Sequence, residues 1–191
     1  ELYYITHINN IPSIIANGIL SYKRASGHQH ISVALEEVQA RRAVKKVPGG
    51  NPLHDYVNLY FDARNPMLYL LSLKDHENLC VLTIDKEVIK LPGVVLTDRN
   101  ASSDYVRFSK FPDGLKLIDK DTLFAQYWTH SEDPIREMEH KSIKCAEVLI
   151  LDKIESSYIL GAHTSCIESC NSFQKKCDKI SVRINAYLFF R

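Results

Sequence analysis

Lys144-Cys145-Ala146-Glu147-Val148-Leu149-Ile150-Leu151 joins a polar loop to a short apolar run that Asp152-Lys153 closes. Val148 to Leu151 reads as a buried strand, because the run is brief, apolar and bounded by charges. Glu147 stands at the mouth of that strand. A carboxylate there is either solvated at the edge of a sheet or held in a cleft, where apolar walls and nearby charges make an acid or base useful. Taken alone the segment favours the solvated reading, since glutamate is seldom buried.

Outward from this strand the chain alternates short strands with few helices. Leu2 to His7, rich in aromatic and β-branched residues, reads as an opening strand. Asn10 then caps a helix with Pro12 in its first turn and Ile11, Ile14 and Ile15 on its apolar side, stopped by Asn17-Gly18. Ser21 to Ser32 is loop-like, and Val33 to Val47 is a short polar helix that Pro48-Gly49-Gly50-Asn51-Pro52 breaks. Tyr56 to Phe61, Leu79 to Ile84 and Val94 to Thr97 are further strands, and Ser102 to Lys144 is loop and short helix. Tyr158 to Leu160 is a short strand; a cysteine-bearing helix and a terminal strand from Ile180 to Phe190 complete the chain. No repeat or linker divides it, so the expectation is one α+β domain over residues 1–191.

The 191 residues suffice for a sizeable core, and 45% hydrophobic with 25% charged content is ordinary for a globular protein. No apolar stretch approaches the roughly twenty residues of a membrane span, and no secretory leader opens the chain, which begins on Glu1 and is expected to be trimmed. A net charge of +1 leaves any nucleic-acid partner to a local patch. Five cysteines do not suggest a secreted disulfide framework, and a cytoplasmic monomer is expected. Cys166, Cys170 and Cys177 with His163 could be proposed as a zinc site, but they lack paired C-x-x-C spacing. On a helix Cys166, Cys170, Phe173 and Cys177 form one apolar stripe, so the reading is core packing and no metal. Phosphate-cradling glycine loops and the common hydrolase motifs are absent.

Several strings bear on chemistry: Ile5-Thr6-His7-Ile8-Asn9-Asn10-Ile11-Pro12, Arg41-Arg42, Leu53-His54-Asp55-Tyr56-Val57 with Tyr60-Phe61, Pro66-Met67-Leu68-Tyr69, and Ala146-Glu147-Val148-Leu149-Ile150. In that order, over almost the full length, they resemble the DarT-type DNA ADP-ribosyltransferases, toxins of a toxin–antitoxin pair. Each string is weak alone; the ordered set is specific. The resemblance implies an ADP-ribosyltransferase-like split β-sheet with few peripheral helices, clasping NAD as co-substrate. It implies transfer of ADP-ribose to a base of single-stranded DNA, and a macrodomain antitoxin as partner.

By the same resemblance Glu147 matches the catalytic glutamate and Arg42, or less so Arg41, the catalytic arginine. A carboxylate beside the nicotinamide ribose stabilises an oxocarbenium-like state, and a guanidinium stabilises an anionic base and the phosphates. Ile5, Thr6, His7, Ile14 and Tyr22, with Arg42, match NAD-facing positions, Tyr22 by stacking. His54-Asp55 reads as structural. Between Ser102 and Lys144, aromatic residues interleave with cations, the composition of a single-strand platform, and Tyr105, Arg136, Lys141 and Lys144 are the expected DNA contacts. Phe124 and Trp128 fit a satellite core equally well. The chain departs from the family in Ile143-Lys144-Cys145 before the Ala146-Glu147 pair and in a short segment between Arg42 and Leu53. These departures leave the target base open between guanosine and thymidine, with a lean to guanosine. Other acceptors, RNA or protein, and an inactive NAD- or nucleic-acid-binding module are the alternatives.

Overall fold

The computed structural model describes residues 1–191. In chain order the elements are β1 Leu2–His7, α1 Ile11–Asn17, β2 Ile19–Leu20, α2 Tyr22–Ala25, α3 Glu36–Ala43, β3 Tyr56–Tyr60, α4 Pro66–Asp75, β4 Leu79–Ile84, β5 Val95–Thr97, β6 Phe108–Lys110, α5 Lys120–Leu123, α6 Pro134–Lys144, β7 Glu147–Leu151, β8 Lys153–Ile154, β9 Ile159–Thr164, α7 Ile167–Gln174 and β10 Val182–Ile184. Eight strands form one sheet in the order β10-β9-β4-β1-β3-β7-β5-β6, antiparallel except for β10 on β9. β2 and β8 make a separate pair.

The register holds the key to the cleft. β1 pairs with β4 along its whole length, from Leu2↔Ile84 to His7↔Leu79, but meets β3 only at Tyr3↔Tyr60. Past that rung the two neighbours diverge, and the sheet splits as expected into two halves with a gap between them.

Alternation of side chains packs both faces. In β4, Cys80, Leu82 and Ile84 enter the main core with Ile11 and Ile14 of α1 and Phe173 of α7, while Leu79 and Val81 face Leu68, Leu71 and Phe189. In β7, Val148 and Ile150 belong to the main core and Leu149 to a third cluster with Val47, Leu53, Tyr56, Val95 and Ala101. Each fully buried Leu, Ile or Phe contributes about 1.5–3 kcal/mol. Glu147 shares the face of Leu149 by the same period. Gly18 closes α1 at φ +82, where a Cβ would meet the Ile154 carbonyl at 2.4 Å, so only glycine fits.

Several expectations need adjusting. The polar helix is Glu36–Ala43 and not Val33 to Val47, because Val33 to Leu35 run along the cleft before the helix starts. α4 was not anticipated, although Asn65 caps it by accepting the Leu68 N–H at 3.0 Å and Pro66 occupies its first turn. Ser102 to Lys144 holds β6, α5 and an eleven-residue α6 capped by Asp133. The strand expected at Tyr158 begins at Ile159 and runs to Thr164. Of the expected terminal strand only Val182–Ile184 forms; Asn185 then accepts the Leu188 N–H and turns the chain so that Phe189 sinks into the second core. Cys170, Phe173 and Cys177 are buried as core residues, whereas Cys166 precedes α7 and sits 3.1 Å from the Ser169 hydroxyl. No helix is long and apolar enough to cross a membrane.

Candidate active site

The gap between β1 and β3 opens a cavity of about 330 Å³, within the range of small-molecule sites. Tyr4, Ile5 and Thr6 line one wall, Tyr56, Val57, Asn58 and Tyr60 another, and the segment from His30 through α3 covers them. Arg41, Arg42, Asn100 and Cys145 also line it.

Glu147 is the first residue of β7, paired with Tyr60, and is wholly buried. Arg42 Nη1 reaches both of its carboxylate oxygens, at 3.0 and 2.9 Å, and Arg42 is itself 5% exposed. The Ala101 N–H donates to Oε1 at 3.0 Å. Thr97 fixes the main chain: its hydroxyl accepts the Glu147 N–H at 2.9 Å. The carboxylate is therefore buried, not solvated at a sheet edge, and it lies behind Arg42, which lines the cavity where Glu147 itself does not. Burying either charge alone would cost several kcal/mol, so the two-oxygen contact supplies the compensation that a buried pair requires.

The loop that delivers the Ala101 N–H is tied down on every side. Asp98, 3% exposed, accepts from the Arg107 N–H at 2.8 Å and from Arg107 Nε at 2.9 Å. The Asn100 N–H donates to the Ser142 carbonyl near the end of α6, and Asn100 Oδ1 accepts from Ser102. Lys45, one turn beyond Arg42, bonds the Ser103 carbonyl and pairs with Asp104. Sequence reasoning missed Ala101 because its part is played by backbone, which leaves no mark on residue type. Thr97 had a faint signal, a β-branched hydroxyl at the end of a buried strand.

Neighbouring groups are electrostatically quiet. Burial, and then the charge of Glu147, hold the Tyr60 phenol well above its ordinary pKa; its hydroxyl donates to Met67 Sδ at 2.8 Å. Burial pushes the Cys145 thiol up to about 12, so it is no nucleophile at neutral pH. Burial and the Arg42 charge lower the pKa of His54, whose ring lies 4.2 Å from that of Tyr22.

The remaining expected NAD contacts divide. Ile5, Thr6, Tyr22 and Arg42 reach the cavity; Thr6 Oγ1 accepts from Asn10, and Tyr22 is 44% exposed. His7 does not line it: its Nδ1 accepts the Asn9 N–H at 3.0 Å and so caps the turn before α1. Ile14 is corrected to a core residue of α1, 7% exposed, because the apolar stripe of that helix faces the sheet.

The expected DNA contacts divide as well. Tyr105 is 81% exposed, Arg136 is exposed on α6, and Lys141 is half-exposed and paired with Glu137 at 2.6 Å. Lys144 is corrected: it is 1% exposed, paired with Asp62, bonded to the Ala125 carbonyl, and unavailable to a phosphate. Its position in the last turn of α6 turns it inward, where an amphipathic stem can pass Trp128. Trp128 is buried edge-on against Tyr69 and Phe190, whereas Phe124 and Tyr127 remain exposed.

A split sheet with a buried strand-mouth glutamate, held by an arginine that lines its cleft, defines the ADP-ribosyltransferase class, and solved structures of that class match throughout. DarTG of Thermosipho africanus in complex with ADP-ribose superposes with a TM-score of 0.83 at 26% identity over 100% of this chain and 51% of that one. Thermus sp. 2.9 DarT in complex with ADP-ribosylated ssDNA gives 0.80 at 27% identity over 98% of this chain and 94% of that one. The same Thermus protein in complex with NAD+ gives 0.80 at 25% identity over 98% of this chain and 96% of that one. A DNA ADP-ribosyl transferase of Thermus aquaticus is 34% identical over 79% of this chain and 68% of its own length. The chain spans about half of the Thermosipho fusion protein it matches, 47% at 28% identity over 96% of this chain. The family model described as "ssDNA thymidine ADP-ribosyltransferase, DarT" matches residues 3–189. The chain belongs to the DarT family.

Proposed function

We propose that this chain transfers ADP-ribose from NAD to a base of single-stranded DNA and releases nicotinamide. The observation that carries the reading is the buried Glu147 paired with Arg42, which lines a cleft between two halves of one sheet. It is supported by the relatives' complexes with NAD+ and with ADP-ribosylated ssDNA. In the reaction the bond between ribose C1′ and the nicotinamide nitrogen breaks, a bond between C1′ and a base nitrogen forms, and that nitrogen gives up its proton. Glu147 stabilises the positive charge that develops on the ribose and takes part in removing the proton; Arg42 stabilises negative charge on the base. Ile5, Thr6 and Tyr22 hold the NAD.

The acceptor we propose is thymidine. Ile143-Lys144-Cys145 leans toward guanosine, but Lys144 is buried and cannot read DNA, and the matching family is described by thymidine. The exposed rings of Tyr105, Phe124 and Tyr127 with Arg136 and Lys141 suit a stacked single strand. We further propose that residues 1–191 act as one monomeric transferase unit in the cytoplasm, and that a macrodomain protein opposes it, as the Thermosipho fusion of transferase and glycohydrolase suggests. Incubating the protein with NAD and a single-stranded oligonucleotide, followed by mass spectrometry, tests the reading. A mass gain of one ADP-ribose on a thymidine is expected; a label on protein with unmodified DNA would overturn it.

A further inference from the structure

Gln39 lies on α3 three residues before Arg42, so both side chains project from one face of that helix, and both line the cavity. Its Oε1 is buried and has no hydrogen-bond partner. Five other side chains carry such an orphaned atom: His54, Ser72, Ser142, His163 and Thr164. None of these lines the cavity, whereas Gln39 does. A buried acceptor left unpaired is rare and unfavourable in a folded chain, and it calls for an occupant that supplies the missing donor.

We propose that Gln39 is a ligand-binding residue whose side-chain amide pairs with an amide edge of the substrate, an N–H beside a C=O. This rests on the proposed transferase function. A glutamine amide matches such an edge at two points, accepting from the N–H through Oε1 and donating to the carbonyl through Nε2. Leu35, Val38 and Tyr56, which line the same cavity, are apolar or aromatic, and a low local dielectric strengthens both bonds. Two parts of the proposed substrates present this edge: the carboxamide of the nicotinamide ring, and the ring N–H flanked by a carbonyl in thymine. Arg42, one helical turn away, engages Glu147. Gln39 therefore grips the ligand beside the reacting centre and takes no part in the charge chemistry itself.

Gln39→Leu removes both polar atoms at similar volume. Its NAD affinity is read by calorimetry without DNA, its transfer to a thymidine-containing single strand in single turnover at saturating NAD, and its melting temperature by calorimetry. Because the orphaned acceptor is gone, melting should stay level or rise. If the nicotinamide carboxamide is the partner, the NAD dissociation constant rises about tenfold. If the base is the partner, NAD affinity holds and transfer falls about tenfold instead. Gln39→Asn, one methylene shorter, should share the defect. NAD affinity and transfer both within twofold of the parent would overturn the proposal, as would a clear drop in melting temperature, which would place the partner of the amide inside the fold. If the parent modifies no DNA at all, the transferase reading fails, and the NAD titration alone decides the role of Gln39.

Discussion

Glu147→Gln separates what the carboxylate does for the reaction from what it does for the fold. The substitution keeps shape and removes charge. In the parent, Arg42 Nη1 touches both oxygens and the Ala101 N–H takes one of them. A glutamine can still accept the Ala101 bond, but its NH2 then faces the guanidinium, donor against donor. Arg42, 5% exposed, is left as a buried cation without a counter-charge. Breaking a buried pair from one side costs about 3–5 kcal/mol. At about 2–4 °C per kcal/mol for a chain of this size, melting should fall by roughly 6–20 °C. Removing the charge that stabilises the developing cation should slow transfer about a thousandfold, roughly 4 kcal/mol of barrier. The test of coupling is the double variant Arg42→Met with Glu147→Gln. It removes the stranded cation and should regain most of the lost melting temperature while remaining inactive. Single-turnover transfer to an oligonucleotide and differential scanning calorimetry measure both. Transfer by Glu147→Gln within tenfold of the parent, or an unchanged melting temperature, would refute the argument.

Three other tests follow from the structure. Arg42→Ala should lose far more transfer than Arg41→Ala, because Arg41 is exposed and makes no contact with Glu147; equal defects in steady-state kinetics would count against the assignment. Lys144→Met should leave the salt dependence of DNA binding unchanged while altering stability by a few kcal/mol, since its partner is Asp62 and not a phosphate; Arg136→Ala with Lys141→Ala should lower the salt slope instead, as titrations at several ionic strengths would reveal. His140 contacts His130 at 2.9 Å and the Thr122 carbonyl at 2.9 Å, and burial lowers its pKa. A histidine whose pKa the fold lowers contributes stability above its unfolded pKa of about 6.5 and loses it as pH falls through the folded value. The melting temperature should therefore drop on acidification below that pH, and His140→Gln should flatten the drop.

The main strands and Glu147 were legible because they rest on patterns of residue type, whereas Arg42 was legible only through the family resemblance. Leu79 to Ile84 is continuously apolar, and it is the strand buried on both faces. Glu147 stood out as a charge at the mouth of an apolar run. What could not be read was orientation. Lys144 and Lys141 are alike in sequence, yet a turn of helix sends one to Asp62 and the other to Glu137. Ile14 follows closely on the cavity-lining residues of β1 in sequence, but periodicity assigns it to the core. α4 hid behind Asn65-Pro66 because its low amphipathicity leaves no helical stripe, only a cap. The Ala101 donor was invisible for a deeper reason: a peptide N–H is common to every residue type but proline.

That anonymity extends to the mouth of the cleft. From Tyr4 to Thr6 the edge of β1 that faces β3 carries no ladder, since the two strands share only Tyr3↔Tyr60. The main-chain groups along that edge look into the cavity as fixed, regularly spaced hydrogen-bonding positions. Mutation can change a side chain, but it does not replace an amide group. A pocket rimmed by main chain can hold its chemistry constant while its spelling drifts, which is one physical route to a relative that shares 27% of its residues yet superposes at a TM-score of 0.80.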